Sequence, residues 1–270
     1  MVKKIAFIGA GSMAEAIISG MINSNFVQAD NIFVTNRANQ DRLNELHQQY
    51  QVQCSQDKEK VIVDANIIVL SMKPADVKAA IDPIKKYIKS HQLIISVIAG
   101  ISTDDLSTLI DADVPVIRAM PNTSASIGFS ATAIAKGKQV TPEQMDIAKS
   151  LFQTIGTVET IDEKDMHTVT AISGSGPAYV YYLVEAMEKA ATESGLDKET
   201  AKSLIKQTIL GAGEMLQQSG KTANSLRKEI TSPAGTTEAG IQTLAKYDFD
   251  KAVIACVESA RNRSIELGEK

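Results

Sequence analysis

Cysteine is scarce in these 270 residues: Cys54 and Cys256 stand far apart, with neither CxxC nor metal-ligand spacing. Reduced thiols are expected rather than a disulfide framework. Only three histidines occur, His47, His91 and His167, and none has a second His or Cys at ligand spacing, so no metal is expected. No stretch approaches the roughly 18 consecutive apolar residues of a membrane span, and Met1-Val-Lys-Lys runs into a strand without a signal-peptide pattern. A cytoplasmic protein with no membrane partner is the expectation. The 28 basic and 32 acidic side chains leave a formal charge of −4 without any basic block, which argues against a nucleic-acid partner.

What is present divides the chain in two. Up to Ile161, short apolar runs alternate with helical patterns; from Asp162 onward the pattern is helix only. Strands are predicted at Lys4 to Ile8, Asn31 to Thr35, near Val52, Ala65 to Leu70, Leu93 to Ile98, Val114 to Arg118, Gly128 to Ala135 and Gly156 to Ile161. Helices are predicted at Gln40 to Tyr50, near Lys58, at Ala75 to Lys89 and at Pro142 to Phe152. The fold class expected is α/β: a Rossmann-type doubly wound sheet with extra strands over residues 1–161, then an all-α dimerisation and substrate domain over 162–270.

The first strand runs directly into Gly9-Ala-Gly-Ser-Met-Ala14, and a helical pattern at Ala16, Ile17 and Met21 follows. This is G-x-G-x-x-A in the context its chemistry requires. The first glycine permits a tight turn, the second lets backbone approach a pyrophosphate, and the small Ala14 lets helix pack on strand. A glycine turn without a ligand is the plain alternative. At the end of the second strand, Asn36-Arg37 stands where NAD-binding chains usually carry a carboxylate for the ribose 2′-hydroxyl. A guanidinium pairs with a 2′-phosphate instead, so NADPH is favoured and NADH is the alternative. A solvated loop arginine is the plain reading. Ser71-Met-Lys-Pro74 and Ala99-Gly100 close two further strands, where ligands of open parallel sheets sit.

Beyond the division, Ser173-Gly-Ser-Gly-Pro-Ala-Tyr179 opens a long helix with apolar residues at Val180, Leu183, Val184, Met187 and Ala191, stopped at Gly195. Asp197 caps a second helix that ends by Gly220, Thr222 caps a short one to about Ile230, and a last helix runs from near Asp248 to about Leu267. Two long helices with wide apolar stripes in so small a bundle predict at least a homodimer. Ser232 to Thr237 leads into a helix start with Glu238 in its first turn; exposed N–H groups there suit a carboxylate, and Thr236 and Thr237 add hydroxyls. An ordinary capped loop is the alternative. No conventional proton donor stands out, and His167 is as well explained as a helix residue. A protonated imine needs less help than a carbonyl in accepting hydride, because it is already the electrophile.

Gly9 to Ala14, Ser71 to Pro74, Arg118-Ala-Met-Pro-Asn122, Thr170 to Tyr179 and Ser232 to Thr237 together resemble pyrroline-5-carboxylate reductase over nearly the whole chain. The resemblance implies reduction of L-1-pyrroline-5-carboxylate to L-proline with NAD(P)H, the last step of proline biosynthesis, by a dimer that assembles further into decamers. The family's cofactor segment falls on Ile8, Gly9, Ala10, Gly11, Ser12 and Met13. Its second-strand end falls on Asn36, with Arg37 beside it, and its later strand ends on Ser71, Met72, Lys73 and Pro74 and on Val97, Ile98 and Ala99. Glu163 and Glu229 match positions near the cofactor. The substrate loop falls on Ser232, Ala234, Gly235, Thr236 and Thr237, with Ser232 and Thr237 implied as catalytic and Thr237 as partner of the ring nitrogen. Asp57 stands where an asparagine often contacts the adenosine ribose, and Ala234 replaces a loop glycine. Ser124 replaces a proline and His167 an aspartate.

Two other readings are weaker. A 3-hydroxyacid dehydrogenase carries Lys and Asn on the interdomain helix, and counting from Gly174-Ser-Gly176 puts Val180 and Val184 there, neither able to move a proton. A non-catalytic NADPH-binding module would keep Gly9 to Ala14 but has no need of the Ser232 to Thr237 loop.

Overall fold

The computed structural model describes residues 3–268. By packing, the chain forms two compact units: one runs to Pro177 and takes up the chain again from Glu258, and the other is Ala178–Val257. Strand ends at Thr160, where the sequence changes character, while the turns through Pro177 pack with the first unit.

In the first unit β1 (Ile5–Ile8), β2 (Ile32–Thr35), β3 (Gln53–Cys54), β4 (Ile67–Leu70), β5 (Leu93–Ser96), β6 (Val116–Met120), β7 (Ser130–Lys136) and β8 (Gly156–Thr160) make one sheet, in the order β3-β2-β1-β4-β5-β6-β7-β8. All pairs are parallel except β6 with β7. Strand order reverses between β1 and β4, and ligands of such sheets bind in the crevice beyond the carboxyl ends there. The fold class is as the sequence predicts.

The strand period of two divides the core. On β1, Ile5 and Phe7 enter one apolar cluster with Ile17, Met21, Leu43 and Phe152, while Ala6 and Ile8 enter another with Ile68, Ile81 and Leu106. Both faces of β1 are therefore buried, and each large side chain there contributes about 1.5–3 kcal/mol. The helices supplying those faces are α1 (Ser12–Asn23), α2 (Gln40–Tyr50), α3 (Lys58–Ile62), α4 (Val77–Ile81), α5 (Thr103–Ile110) and α6 (Pro142–Gln153); α7 (Met166–Val169) runs on into a π turn at Thr170–Gly174.

Two expectations about helices change. The single helix expected over Ala75 to Lys89 is a 3-10 turn at Pro74–Asp76, then α4, then a second 3-10 turn at Lys85–Tyr87. Pro83 has no N–H for a helical bond and crowds the preceding turn, so the helix cannot continue through it. Helix α5 was not foreseen, although its start is written locally: Ser102 and Asp105 form a reciprocal capping box.

In the second unit lie most of α8 (Gly176–Glu193) and the first part of α12 (Phe249–Gly268), with α9 (Lys198–Gln218), α10 (Ala223–Glu229) and α11 (Thr236–Lys246) between them. Asp197 accepts the Thr200 N–H and Thr222 accepts the Ser225 N–H, so both predicted caps are formed. Helix α8 has no buried residue and α9 buries only Ala201 and Ile205, leaving Tyr182, Leu204, Leu210 and Tyr247 exposed. Both cysteines are free, and burial pushes the Cys54 thiol up to about 11. Among the described residues no helix is long and apolar enough to cross a membrane.

Candidate functional site

The glycine turn stands at the reversal of strand order. Gly9 has φ +119°, and a Cβ on it would lie 2.5 Å from the Ser71 carbonyl oxygen. Its N–H donates to the Thr35 carbonyl at 2.9 Å, and the Ser71 hydroxyl donates to the Gly9 carbonyl at 3.2 Å. The ends of β1, β2 and β4 are therefore tied at one point. Ala10 and Gly11 lead into α1, whose N-terminus has no side-chain cap, and a Cβ on Gly11 would meet nothing within 4 Å. Uncapped N–H groups behind Gly11, Ser12 and Met13, with open space before them, fit a pyrophosphate.

One carboxylate in that first turn would repel a phosphate: Glu15. Arg42 on α2 neutralises it in a close ion pair and, through Nε, donates to the Ala10 carbonyl at 2.9 Å. The Tyr50 hydroxyl donates to the other Glu15 oxygen at 3.1 Å, and burial, then the Glu15 charge, raise its pKa. Sequence reading missed this support, because Arg42 lies 32 positions from Ala10 and looks like any helix surface residue.

Asn36 works mainly on its own turn. It accepts the Asn39 N–H at 2.9 Å and the Gln56 amide at 3.0 Å, and it donates to the Asn39 carbonyl at 2.7 Å. That turn presents Arg37 to a cavity of about 120 Å³ lined also by Gly9, Asn36, Lys58, Met72 and Asp76. Thr35 lines it too, and its buried hydroxyl has no partner among the described residues. Arg37 and Lys58 are the two cations lining the cavity, a charge set that fits a 2′-phosphate. Lys58 carries no motif signal; only the fold brings it beside Arg37. Asp57 is occupied as the cap of α3, accepting the Glu59 and Lys60 N–H groups.

Ser71 to Pro74 close β4, with Lys73 exposed and Pro74 starting the turn that places Asp76. Val97 is joined to β4 by its N–H on the Leu70 carbonyl at 3.0 Å. Ile98 is buried in the core, whereas Val97 and Ala99 are half-buried. Glu163 is joined to Thr103, and Glu229 in the second unit holds Lys221 Nζ at 2.9 Å from both oxygens. His167 bonds Ser264 at 3.0 Å. Burial first, then the Arg118 and Arg261 charges, hold its imidazole below the usual histidine range.

The second unit offers a second uncapped helix start. Gly235 precedes α11 with extended backbone and no side-chain cap. Its own N–H turns back to the Ser232 carbonyl at 3.0 Å, and Glu238 accepts the Ala234 N–H at 2.7 Å. Ala234 holds φ +57°, the left-handed conformation that explains why a glycine suits this position. Among the described residues nothing hydrogen-bonds the hydroxyls of Ser232, Thr236 and Thr237, so all three are open to a small ligand. A carboxylate at this end is favoured by the dipole and by the N–H groups of the first turn.

A family model of pyrroline-5-carboxylate reductase dimerisation matches residues 163–267, and one of the coenzyme F420-dependent NADP oxidoreductases matches residues 4–100. The chain is 48% identical over 268 residues to pyrroline-5-carboxylate reductase 2 of Bacillus subtilis, covering 99% of this chain and 96% of that protein. Among solved structures, the pyrroline-5-carboxylate reductase of Coxiella burnetii is similar at a TM-score of 0.92 and 33% identity over 100% of both chains. The NADP-bound pyrroline carboxylate reductase of Plasmodium falciparum is similar at 0.89 and 30%, over 98% of each.

Proposed function

Because the chain belongs to the pyrroline-5-carboxylate reductase family, we propose that it reduces L-1-pyrroline-5-carboxylate to L-proline with NADPH, NADH being the alternative donor. This is the last step of proline biosynthesis. The observation that carries the reading is a pair of uncapped helix starts, α1 behind Gly11 and α11 behind Gly235, each able to hold one anion of a two-substrate reaction.

In the first unit Ile8 to Met13 receive the pyrophosphate, with Gly11 leaving room and Arg42 keeping Glu15 neutralised. Asn36 shapes the turn that aims Arg37, and Arg37 and Lys58 take the 2′-phosphate. Ser71 to Pro74 and Val97 to Ala99 present backbone to the rest of the dinucleotide. When bound, the nicotinamide supplies a hydride to carbon 5 of the ring.

In the second unit the first-turn N–H groups of α11 hold the ring carboxylate, with Ala234 and Gly235 shaping the approach. The Thr237 hydroxyl orients the ring nitrogen, and the Ser232 and Thr236 hydroxyls fix the remaining edge. Reduction of a protonated imine leaves a neutral amine, so orientation and water exclusion serve where a carbonyl would need an acid.

The exposed faces of α8 and α9 are those of a homodimer, and five such dimers forming a decamer in the cytoplasm complete the reading, with no nucleic-acid partner. Oxidation of NADPH and of NADH is measured with the five-membered imine acid and with its six-membered homologue, and proline is identified as product. No oxidation with the five-membered ring ends the proposal.

A further inference from the structure

Arg118 is a large cation left without a task in the function described above. It lies on β6 opposite Ser96 of β5, and its side chain is 1% exposed. Nη1 stands 3.5 Å from Glu163 Oε1, while Nε and Nη2 are buried and find no partner among the described residues. Burial lowers its pKa, and the Glu163 charge opposes that. A charge kept in such a place needs a reason, because replacing a buried pair by apolar side chains is often neutral or stabilising.

Glu163 supplies one. Its Oε1 accepts the Thr103 N–H at 2.8 Å, and its Oε2 accepts the Thr103 hydroxyl at 2.6 Å. Both oxygens are engaged by one residue, the first of α5, where the helix dipole also favours an anion. A carboxylate committed in this way fixes the start of α5.

The segment 97–102 joins β5 to α5 and has little slack. At its start the Val97 N–H donates to the Leu70 carbonyl at 3.0 Å, and the Ile98 N–H to the Ser96 hydroxyl at 3.3 Å. At its end Ser102 and Asp105 cap α5, and Thr103 is gripped by Glu163. In the middle Gly100 has φ +84°, and a Cβ there would come within 3.0 Å of the Gly268 nitrogen. The end of α12 thus backs the loop closely.

We propose that Glu163, backed by the buried Arg118, is a positioning residue for hydride transfer: through Thr103 it sets the height of Val97 to Ala99. It rests on the assignment of Val97 to Ala99 to the nicotinamide made under the proposed function. Misplacement of a reacting group by about 1 Å can cost on the order of a hundredfold in rate, so a doubly bonded anchor at the loop's exit has a catalytic consequence.

The test compares Thr103→Val, Thr103→Ser and Glu163→Gln with the wild-type chain in kcat, KM for NADPH, Tm and the isotope effect on kcat from NADPH deuterated at the transferred hydrogen. T103V and E163Q should lower kcat by about tenfold with KM changed less than about twofold, and should enlarge the isotope effect. T103S keeps both bonds and should stay within about twofold of wild type. Should E163Q fail to fold, the T103V and T103S pair decides. A rise in KM at constant kcat would make Glu163 a cofactor ligand, and a fall in Tm with kcat unchanged would make the anchor purely architectural; either overturns the proposal. A wild-type chain inactive on the imine removes the function and the proposal together, whereas an active wild type with unaffected variants removes the proposal alone.

Discussion

The Arg37 guanidinium stands 3.6 Å from the Asp76 carboxylate, and both line the cavity that Lys58 also enters. The pair is well exposed, and exposed pairs are worth about 0–1 kcal/mol. Arg37 can therefore exchange Asp76 for a phosphate at little cost. Arg37→Ala should raise the Kd for NADPH by about tenfold, or about 1.4 kcal/mol, and that for NADH by much less. Asp76→Asn should tighten NADPH and leave NADH unchanged. Fluorescence titration with both cofactors reads this directly, and equal effects on the two would remove the phosphate-pairing role.

Gly9 and Gly11 should fail differently when changed to alanine. At Gly9 the methyl group meets the Ser71 carbonyl and the backbone is left-handed, so about 1–3 kcal/mol of stability should be lost and Tm should fall. At Gly11 the backbone is extended and nothing lies within 4 Å, so the fold should be unchanged within about 0.5 kcal/mol while NADPH binding weakens. Melting curves with and without NADPH separate the two cases.

Ala234 sits in the left-handed region at φ +57°. That conformation costs an L-residue about 1–2 kcal/mol, and glycine returns about 0.5–1 of this through its freer unfolded chain. Ala234→Gly should therefore raise stability by about 0.5–1 kcal/mol and keep activity, as seen in Tm and kcat.

Among the described residues the Thr237 hydroxyl has no partner, so its removal leaves no buried group stranded. Thr237→Ala should lower kcat/KM for the imine by about 1–3 kcal/mol and leave NADPH affinity unchanged. An unaltered kcat/KM rules out its role at the ring nitrogen.

His167 carries the pH dependence. Burial, Arg118 and Arg261 disfavour its charged form, against Glu163 and the Ser264 bond, so its folded pKa lies below the ordinary 6.5. The unfolded chain then binds the extra proton first, and stability present above pH 6.5 is lost as pH falls through the folded pKa. Tm should decline from pH 7 toward pH 5 in wild type and decline less in His167→Gln; parallel curves would show that other groups set the dependence.

Much of this molecule is written in short stretches. The turn Gly9 to Ala14, the caps at Asp197 and Thr222 and the helix start after Gly235 act within about one turn of chain, and each is formed as its residues require. Pro83 and the Ser102 capping box were equally local signals, and the break before Lys85 and helix α5 follow from them. The Arg118-Ala-Met-Pro-Asn122 motif marks a strand end in sequence, yet nothing near it says that Arg118 will meet Glu163.

By itself the sequence determined most element types, the doubly wound class, the glycine turn after β1 and the helix start after Gly235, because these depend on neighbours within a few positions. Tertiary structure alone decided that Arg42 holds Ala10 from 32 positions away, that Lys58 joins Arg37, and that Glu163 grips Thr103 across 60 positions. The physical reason is that a charged side chain has no preferred partner until packing removes water and leaves it only the groups within reach.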